Sequence, residues 1–211
     1  MKIHRFVFSP IGVNTYVLAD DDGECAIIDC GCYDNSEFNE LKEFINENKL
    51  KPQKLLNTHL HLDHVFGNRF VLKEYGLKTH ASREEEKNLS SATQHAELFG
   101  LTMPEPPGIG TYIKEGQMIP IGKISLQCLF VPGHTSGSIA FYCESDNFVF
   151  TGDALFAGSI GRTDLPGGDH QTLLSSIKEN LLNLPDDTIV YPGHGPESKI
   201  GVERQYNPFL T

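Results

Sequence analysis

The sequence has no tryptophan, only 3 methionines and no apolar run long enough to cross a bilayer. The first residues, MKIHRFVFSP, also lack the basic end, apolar centre and cleavage site of a secretion signal. Positive charge is scarce as well, since 17 Lys and Arg stand against 28 Asp and Glu and give a net charge of −11. This balance argues against nucleic acid or an anionic membrane as a partner. We therefore expect a cytoplasmic protein; no oligomeric state is indicated.

Cysteine is sparse and odd in number, with 5 residues. An odd set in a chain without an export signal argues against a disulfide framework and predicts reduced thiols. Cys30 and Cys32 flank Gly31, a spacing open to a redox or ligand role, but packing as small buried side chains is the favoured interpretation.

Short apolar segments rich in β-branched and aromatic residues alternate with turn residues and with helical patterns. The length of 211 residues suits one α/β domain over residues 1–211. Strands are predicted at 2–8, 15–19, 25–29, 54–58, 124–131, 138–143, 148–151 and 189–191, and helices at 36–50, 65–75 and 171–184. Because the strands fall into two groups that are each followed by helices, we expect two mixed sheets packed face to face with helices outside, a four-layer αββα sandwich.

A further helix is predicted after Ser82, which forms a capping-box pattern with Glu85. Apolar residues follow at helical spacing and define its buried face: Leu89, Ala92, Ala96 and Phe99. The Pro- and Gly-rich stretch 101–110 then reads as a surface loop.

The most informative motif is the run HLHLDH, which places His59, His61, Asp63 and His64 at the end of a predicted strand. The alternation of a strand puts His59 and His61 on one side of the chain, where they can share a metal ion. Asp63 and His64 lie in the turn into the next helix and can supply a second cation. A chain of this composition would contain the run by chance about once in a thousand cases.

Three more candidate ligands follow predicted strands and stand next to a glycine: His134, Asp153 and His194. Glycine permits close backbone approach, so a side chain can be aimed from a loop. The seven groups suffice for three or four protein ligands on each of two divalent cations if Asp153 bridges them.

The sequence resembles the metallo-β-lactamase superfamily, whose HxHxDH motif is matched by His59, His61, Asp63 and His64. The resemblance extends from NTYVLAD and AIIDCG to YPGHGP. It implies the αββα fold, a first metal on His59, His61 and His134, a second on Asp63, His64 and His194, and Asp153 as the bridge.

Within that superfamily, GRTDLPGGD and the ending GHGPESKIGVERQYNPFL resemble the short glyoxalase II-like thioesterases. The resemblance implies an enzyme that hydrolyses a small-molecule thioester such as S-lactoylglutathione. The longer glyoxalase II enzymes carry an additional helical region with basic residues for glutathione, so the acyl group and the thiol carrier stay open. We expect metal-bound hydroxide as the nucleophile, with Asp63 as the catalytic residue that orients it.

Five imidazoles with carboxylates suit zinc, iron and manganese, and we expect zinc first and iron second. Arg162 and His170 are candidate substrate-binding residues, although Arg162 can instead brace its loop by pairing with Asp164. Asp29 is expected to tie the ligand loops together by hydrogen bonds. The remaining histidines, His4, His80 and His95, are interpreted as structural.

Three other functions compete with a thioesterase. A mononuclear-iron persulfide dioxygenase would use only His59, His134 and Asp153. A lactonase or another metallo-hydrolase would use the same site on a different acyl substrate. A metal-binding module without catalysis would bind ions and turn over nothing.

Overall fold

Two six-stranded sheets account for most of the chain, and the computed structural model describes all 211 residues. The first sheet contains, in the same order in space as in sequence, β1 (Lys2–Phe8), β2 (Val13–Ala19), β3 (Glu24–Ile28), β4 (Lys51–Leu56), β5 (Thr79–Ala81) and β6 (Ile109–Tyr112). The first three strands are antiparallel, and β3 to β6 are parallel to one another.

The second sheet is also mixed. Its strands are β7 (Met118–Ile121), β8 (Ile124–Phe130), β9 (Ile139–Cys143), β10 (Phe148–Gly152), β13 (Ile189–Pro192) and β14 (Ser198–Lys199). Their order in space is β14-β13-β10-β9-β8-β7, and only β10 and β13 pair in parallel. A small hairpin of β11 (Leu155–Phe156) and β12 (Ser159–Ile160) follows β10.

Helices cover the outer faces of the sheets. They are α1 (Asn35–Glu47), α2 (Leu62–Val65), α3 (Asn68–Tyr75), α4 (Glu86–Leu98), α5 (His170–Ser176) and α6 (Ile200–Tyr206). A single 3-10 turn, Arg83–Glu85, precedes α4, and α5 continues as a π-helical turn over Ile177–Leu181.

Three apolar layers separate these elements. The central layer lies between the two sheets and joins residues such as Tyr16 and Ile28 of the first to Phe141 and Phe150 of the second. A second layer packs α1 and α3 against the first sheet, and a third packs α5 and α6 against the second sheet. The expected four-layer αββα sandwich is confirmed. No helix is long and apolar enough to cross a membrane.

Several elements depart from the sequence expectation. The short strands β5, β6 and β7 were not predicted, and β6 falls partly inside the expected loop 101–110. The predicted helix 171–184 changes to π-helical geometry at Ile177 and ends at Leu181. The five cysteines are all buried and free, as the composition predicted.

Candidate metal centre

The candidate site lies at one edge of the sandwich, where strands of both sheets end. Within the second sheet, β8, β10 and β13 run in the same direction, and β3 and β4 are parallel in the first. The residues that follow the ends of these five strands are Asp29, His59, His134, Asp153 and His194. The backbone N–H of Asn14 donates to the carbonyl of Gly193 at 2.7 Å and joins the two sheets beside the site. Segments far apart in sequence therefore meet at this edge.

The HLHLDH run does not continue its strand, contrary to the expectation that strand alternation aims the histidines. β4 ends at Leu56, and the N–H of Thr58 donates to the Asp29 carboxylate at 2.8 Å instead of to a neighbouring strand. The side chain of Asn57 donates to the carbonyl of His64 at 2.7 Å and closes the loop. The loop therefore aims His59 and His61, and helix α2 carries Asp63 and His64.

One group of ligand atoms consists of three buried imidazoles, those of His59, His61 and His134. His134 Nε2 lies 3.0 Å from His61 Nδ1 and 3.3 Å from His59 Nε2. The three rings come from two different sheets and point their nitrogens at one place.

The protonation of these rings can be deduced from their outer nitrogens. The hydroxyl of Thr58 donates to Asp29, so it can only accept from His59 Nδ1, 3.2 Å away. His134 Nδ1 lies 2.8 Å from the carbonyl of Arg162, to which it must donate. In a neutral ring the other nitrogen then carries a lone pair. The 3.3 Å contact between His59 and His134 thus joins two lone pairs, and a cation between them is what this arrangement fits.

A second group of ligand atoms comes from Asp63, His64 and His194, and Asp153 lies between the two groups. His194 Nε2 is 3.1 Å from an oxygen of Asp63 and 3.6 Å from Oδ2 of Asp153. The same Oδ2 lies 3.7 Å from His134 Nε2 of the first group. Asp153 can therefore reach ions held by either group.

Unpartnered buried atoms concentrate in this cluster. Neither ring nitrogen of His64 and not Oδ1 of Asp153 has a hydrogen-bond partner, although the imidazole is completely buried. Leaving such groups unpaired is costly, and native proteins satisfy nearly all of them. Divalent cations would satisfy these atoms, and the set of imidazoles and carboxylates is one that zinc, iron and manganese accept. The cluster is a divalent metal site.

The charges of the cluster also favour cations. Burial lowers the pKa of His61 to about 3, and the neighbouring His134 acts in the same direction. Burial opposes a charge on His64 too, but three surrounding carboxylates outweigh it and raise the pKa of this ring well above its ordinary value. Against burial, the His64 charge holds the pKa values of Asp63 and Asp153 below theirs. Both carboxylates stay ionised at neutral pH, as metal ligands must be.

Close backbone approach explains one of the glycines beside the ligands. A Cβ on Gly193 would lie 2.2 Å from Asp153 Oδ1 and 2.8 Å from Cε1 of His64. Any other residue would displace these ligands, so glycine precedes His194 because no side chain fits there.

Asp29 holds the ligands in place from behind, as the sequence led us to expect. Its carboxylate accepts from both the N–H and the hydroxyl of Thr58, and it lies 3.1 Å from Nδ1 of His64. Its φ of +51° is in the left-handed region, which Asp adopts more readily than most residues. One carboxylate therefore orients His64 directly and His59 through Thr58.

Glu85 is a supporting residue whose role the sequence did not reveal. The expected capping box assigns its carboxylate to the backbone of Ser82, but the carboxylate points into the protein and is completely buried. It accepts from the N–H of Leu60 at 2.8 Å, the hydroxyl of Thr135 at 2.6 Å and the N–H of Gly137 at 3.0 Å. Leu60 separates His59 from His61, and Thr135 follows His134. Glu85 thus fastens the two loops that supply the three-imidazole group.

The two candidate substrate-binding residues lie in different surroundings. Arg162 lines the cavity above the cluster, and its guanidinium donates two hydrogen bonds to Asp164 at 2.7 and 2.8 Å. His170 is exposed at the start of α5 and is not among the residues that line this cavity. Substrate binding by either residue stays a prediction.

The cavity also contains residues that the sequence did not single out. Its wall includes His95, which we had interpreted as structural, and Phe99, which we had assigned to the buried face of its helix. Phe99 caps the C-terminal end of α4 and is 57% exposed. The helical spacing was correct for Leu89, Ala92 and Ala96, but the face they define ends one turn before Phe99.

A sequence profile described as the metallo-beta-lactamase superfamily matches residues 9–194 of this chain. The probable metallo-hydrolase YqgX of Bacillus subtilis is 38% identical over 213 residues, which cover 100% of this chain and 98% of that protein. The hydroxyacylglutathione hydrolase GloC of Haemophilus influenzae is 39% identical over 218 residues, which cover 100% and 99%.

Solved structures show the same fold over the whole chain. The B3 metallo-beta-lactamase BLEG-1 has a TM-score of 0.88 and 34% identity, covering 100% of both chains. TTHA1623 in a di-iron-bound form has a TM-score of 0.89 and 36% identity, covering 98% of this chain and 100% of that one. ETHE1 from Myxococcus xanthus has a TM-score of 0.81 and 25% identity, covering 99% and 84%.

Proposed function

This chain belongs to the metallo-beta-lactamase superfamily and is a metallo-hydrolase, and from that premise we propose that it hydrolyses a thioester with two divalent cations. The observation that carries the proposal is the convergence of seven ligands in two groups at the floor of one cavity. The GloC relative, a hydroxyacylglutathione hydrolase, supports a thioester as the substrate.

The ligands divide by their contacts. His59, His61 and His134 hold one ion, and Asp63, His64 and His194 hold the other. Asp153 serves both, because its Oδ2 lies within 3.7 Å of a nitrogen in each group. Zinc is the first candidate and iron the second, with manganese also compatible.

When bound, such ions polarise a carbonyl and lower the pKa of water from 15.7 to about 7. The chain itself supplies the orientation. Asp63 lines the cavity and has a carboxylate that stays ionised, so it can accept a hydrogen bond from the attacking water and turn its lone pair toward the carbonyl carbon.

In the reaction, the oxygen of water forms a bond to the carbonyl carbon and the carbon–sulfur bond breaks. The sulfur leaves with the bonding electrons, and the products are a carboxylate, a thiol and a proton. Because a thiol has a pKa of about 8.5, the thiolate leaves without a general acid, whereas an amide nitrogen needs a proton. The site therefore suits a thioester better than a lactam.

Turnover by protein purified with its metals tests the proposal. We expect hydrolysis of S-lactoylglutathione or of another acyl thioester at rates well above those on a penicillin or cephalosporin. The Asp63→Ala variant should lose orders of magnitude in kcat while keeping its far-UV circular dichroism. A β-lactam turned over faster than every thioester would overturn the assignment and would favour the activity for which BLEG-1 is named.

A persulfide dioxygenase is the second candidate, since ETHE1 has the same fold. That reaction would need only His59, His134 and Asp153, which leaves Asp63, His64 and His194 without a task. The contact of 3.1 Å between His194 and Asp63 instead favours a second occupied position. Oxygen uptake on glutathione persulfide would reverse this preference, and bound metal without any turnover would indicate a binding module.

A further inference from the structure

The cavity above the metal ligands has a volume of about 460 Å³ and two unlike parts. Its floor is made of five of the ligands. Its wall is largely apolar and consists of Ile11, Leu62, Leu98, Phe99, Leu165 and Pro166. We call Ile11, Leu98 and Phe99 the apolar rim, because they are the most exposed of the six.

The apolar rim is not part of any core. Leu98 is 79% exposed, Phe99 57% and Ile11 39%, and none of them belongs to the buried clusters. The buried face of α4 is formed by other residues, so Leu98 and Phe99 contribute nothing to holding that helix on the protein. Large apolar side chains grouped at the mouth of a cavity mark a binding surface.

The end of α4 is held in a defined conformation. The N–H of Phe99 donates to the carbonyls of His95 and Ala96, and the N–H of Leu101 donates to Ala96 at 2.9 Å. Gly100, with φ of +71°, makes the left-handed turn that ends many helices. The apolar rim is therefore presented by an ordered helix end.

Fixed positive charge is nearly absent from the wall. Arg162 is its only permanent cation, and both of its hydrogen bonds to Asp164 are already formed. No lysine lines the cavity. A carrier with several carboxylates or phosphates would find no unpaired cationic side chain beside the ligand cluster.

Resting on the proposed function, we infer that the substrate is a thioester with an apolar acyl chain of several carbons, which lies along Leu98, Phe99 and Ile11 while its carbonyl meets the floor. Leu98 and Phe99 determine specificity, and a hydroxylated or very short acyl group is a poorer substrate than a longer apolar one.

The test is a series of straight-chain thioesters, from acetyl to octanoyl, on the small neutral thiol N-acetylcysteamine. Each methylene buried against the rim should raise kcat/KM by roughly two- to fourfold. In the double variant Leu98→Ser with Phe99→Ser, the preference for octanoyl over acetyl should fall to near one. The matched control is Val202→Ser with Tyr206→Ser, which removes two apolar side chains of α6 that are 46% and 68% exposed and do not line the cavity. This control should keep the wild-type preference.

A second measurement separates failure of this inference from failure of the proposed function. Calorimetry on the metal-loaded protein with non-hydrolysable S-alkyl thioethers should give affinities that rise with chain length, and less steeply in the rim variant. Thioester turnover with no preference for long chains would overturn the inference alone. No turnover of any thioester would overturn the proposed function, and a flat series of thioether affinities would then overturn the inference as well.

Discussion

The floor and the rim of the cavity are built in opposite ways. On the floor, His59, His64 and Glu85 are completely buried, and most of the ligands have a second partner behind them. On the rim, Leu98 and Phe99 are exposed and pack into no core. A change on the floor therefore disturbs metal binding and folding together, whereas a change on the rim affects substrate preference alone.

The largest effect is expected for Asp153, the residue shared by the two groups of ligands. Asp153→Ala should remove most of the bound metal and lower kcat by several orders of magnitude, because it takes away an oxygen within 3.7 Å of both His134 and His194. Metal content and turnover measure this. Retention of both ions with full activity would contradict the bridging role.

Glu85→Ala should destabilise the protein by about 2–4 kcal/mol, because buried donors of Leu60, Thr135 and Gly137 lose their acceptor. The same change should weaken metal binding, which a metal titration would detect. Urea unfolding gives the free energy, with Glu86→Ala as the control since that side chain is 52% exposed. Equal stabilities of the two variants would refute the role of Glu85 as a fastening between loops.

A smaller effect is expected at Asp29, which contacts ligands from behind. Asp29→Asn keeps the left-handed backbone but places an amide N–H₂ where the Thr58 hydroxyl now donates or where its backbone N–H donates. Metal affinity should fall about 10- to 100-fold. The exposed Asp22→Asn is the control, and unchanged affinity in Asp29→Asn would show that the contact with His64 is incidental.

The smallest effect on stability is expected at the rim. Leu98→Ser and Phe99→Ser should each change the free energy of unfolding by less than about 0.5 kcal/mol, since neither side chain is buried. Urea unfolding of the two variants measures this. A loss above about 2 kcal/mol would mean that the rim is part of the core and would remove the contrast with the floor.

The sequence was most informative where chemistry is concentrated in a short run. The histidines of HLHLDH stand out because the run is rare, and the structure brings all seven candidate ligands together. The reason given for their aim was wrong, however, since β4 ends at Leu56 and a loop held by Asp29 replaces the strand. Side-chain partners that are distant in sequence decided where the strand ends.

The same limit explains what the sequence did not reveal. Glu85 matches a local capping pattern, yet its partners include Thr135 and Gly137, which no local pattern can indicate. Strand β5 is three residues long and shows no clear alternation. Strand β7 contains Pro120, which argues against a strand except at a sheet edge, where it lies.

Metal stoichiometry tests the central claim most directly. Elemental analysis of protein prepared without chelators should find about two divalent ions per chain in the wild type and about one in His194→Ala, which removes a ligand from the second group only. No bound ion in the wild type, or an unchanged count in the variant, would contradict the account of two ions at this site.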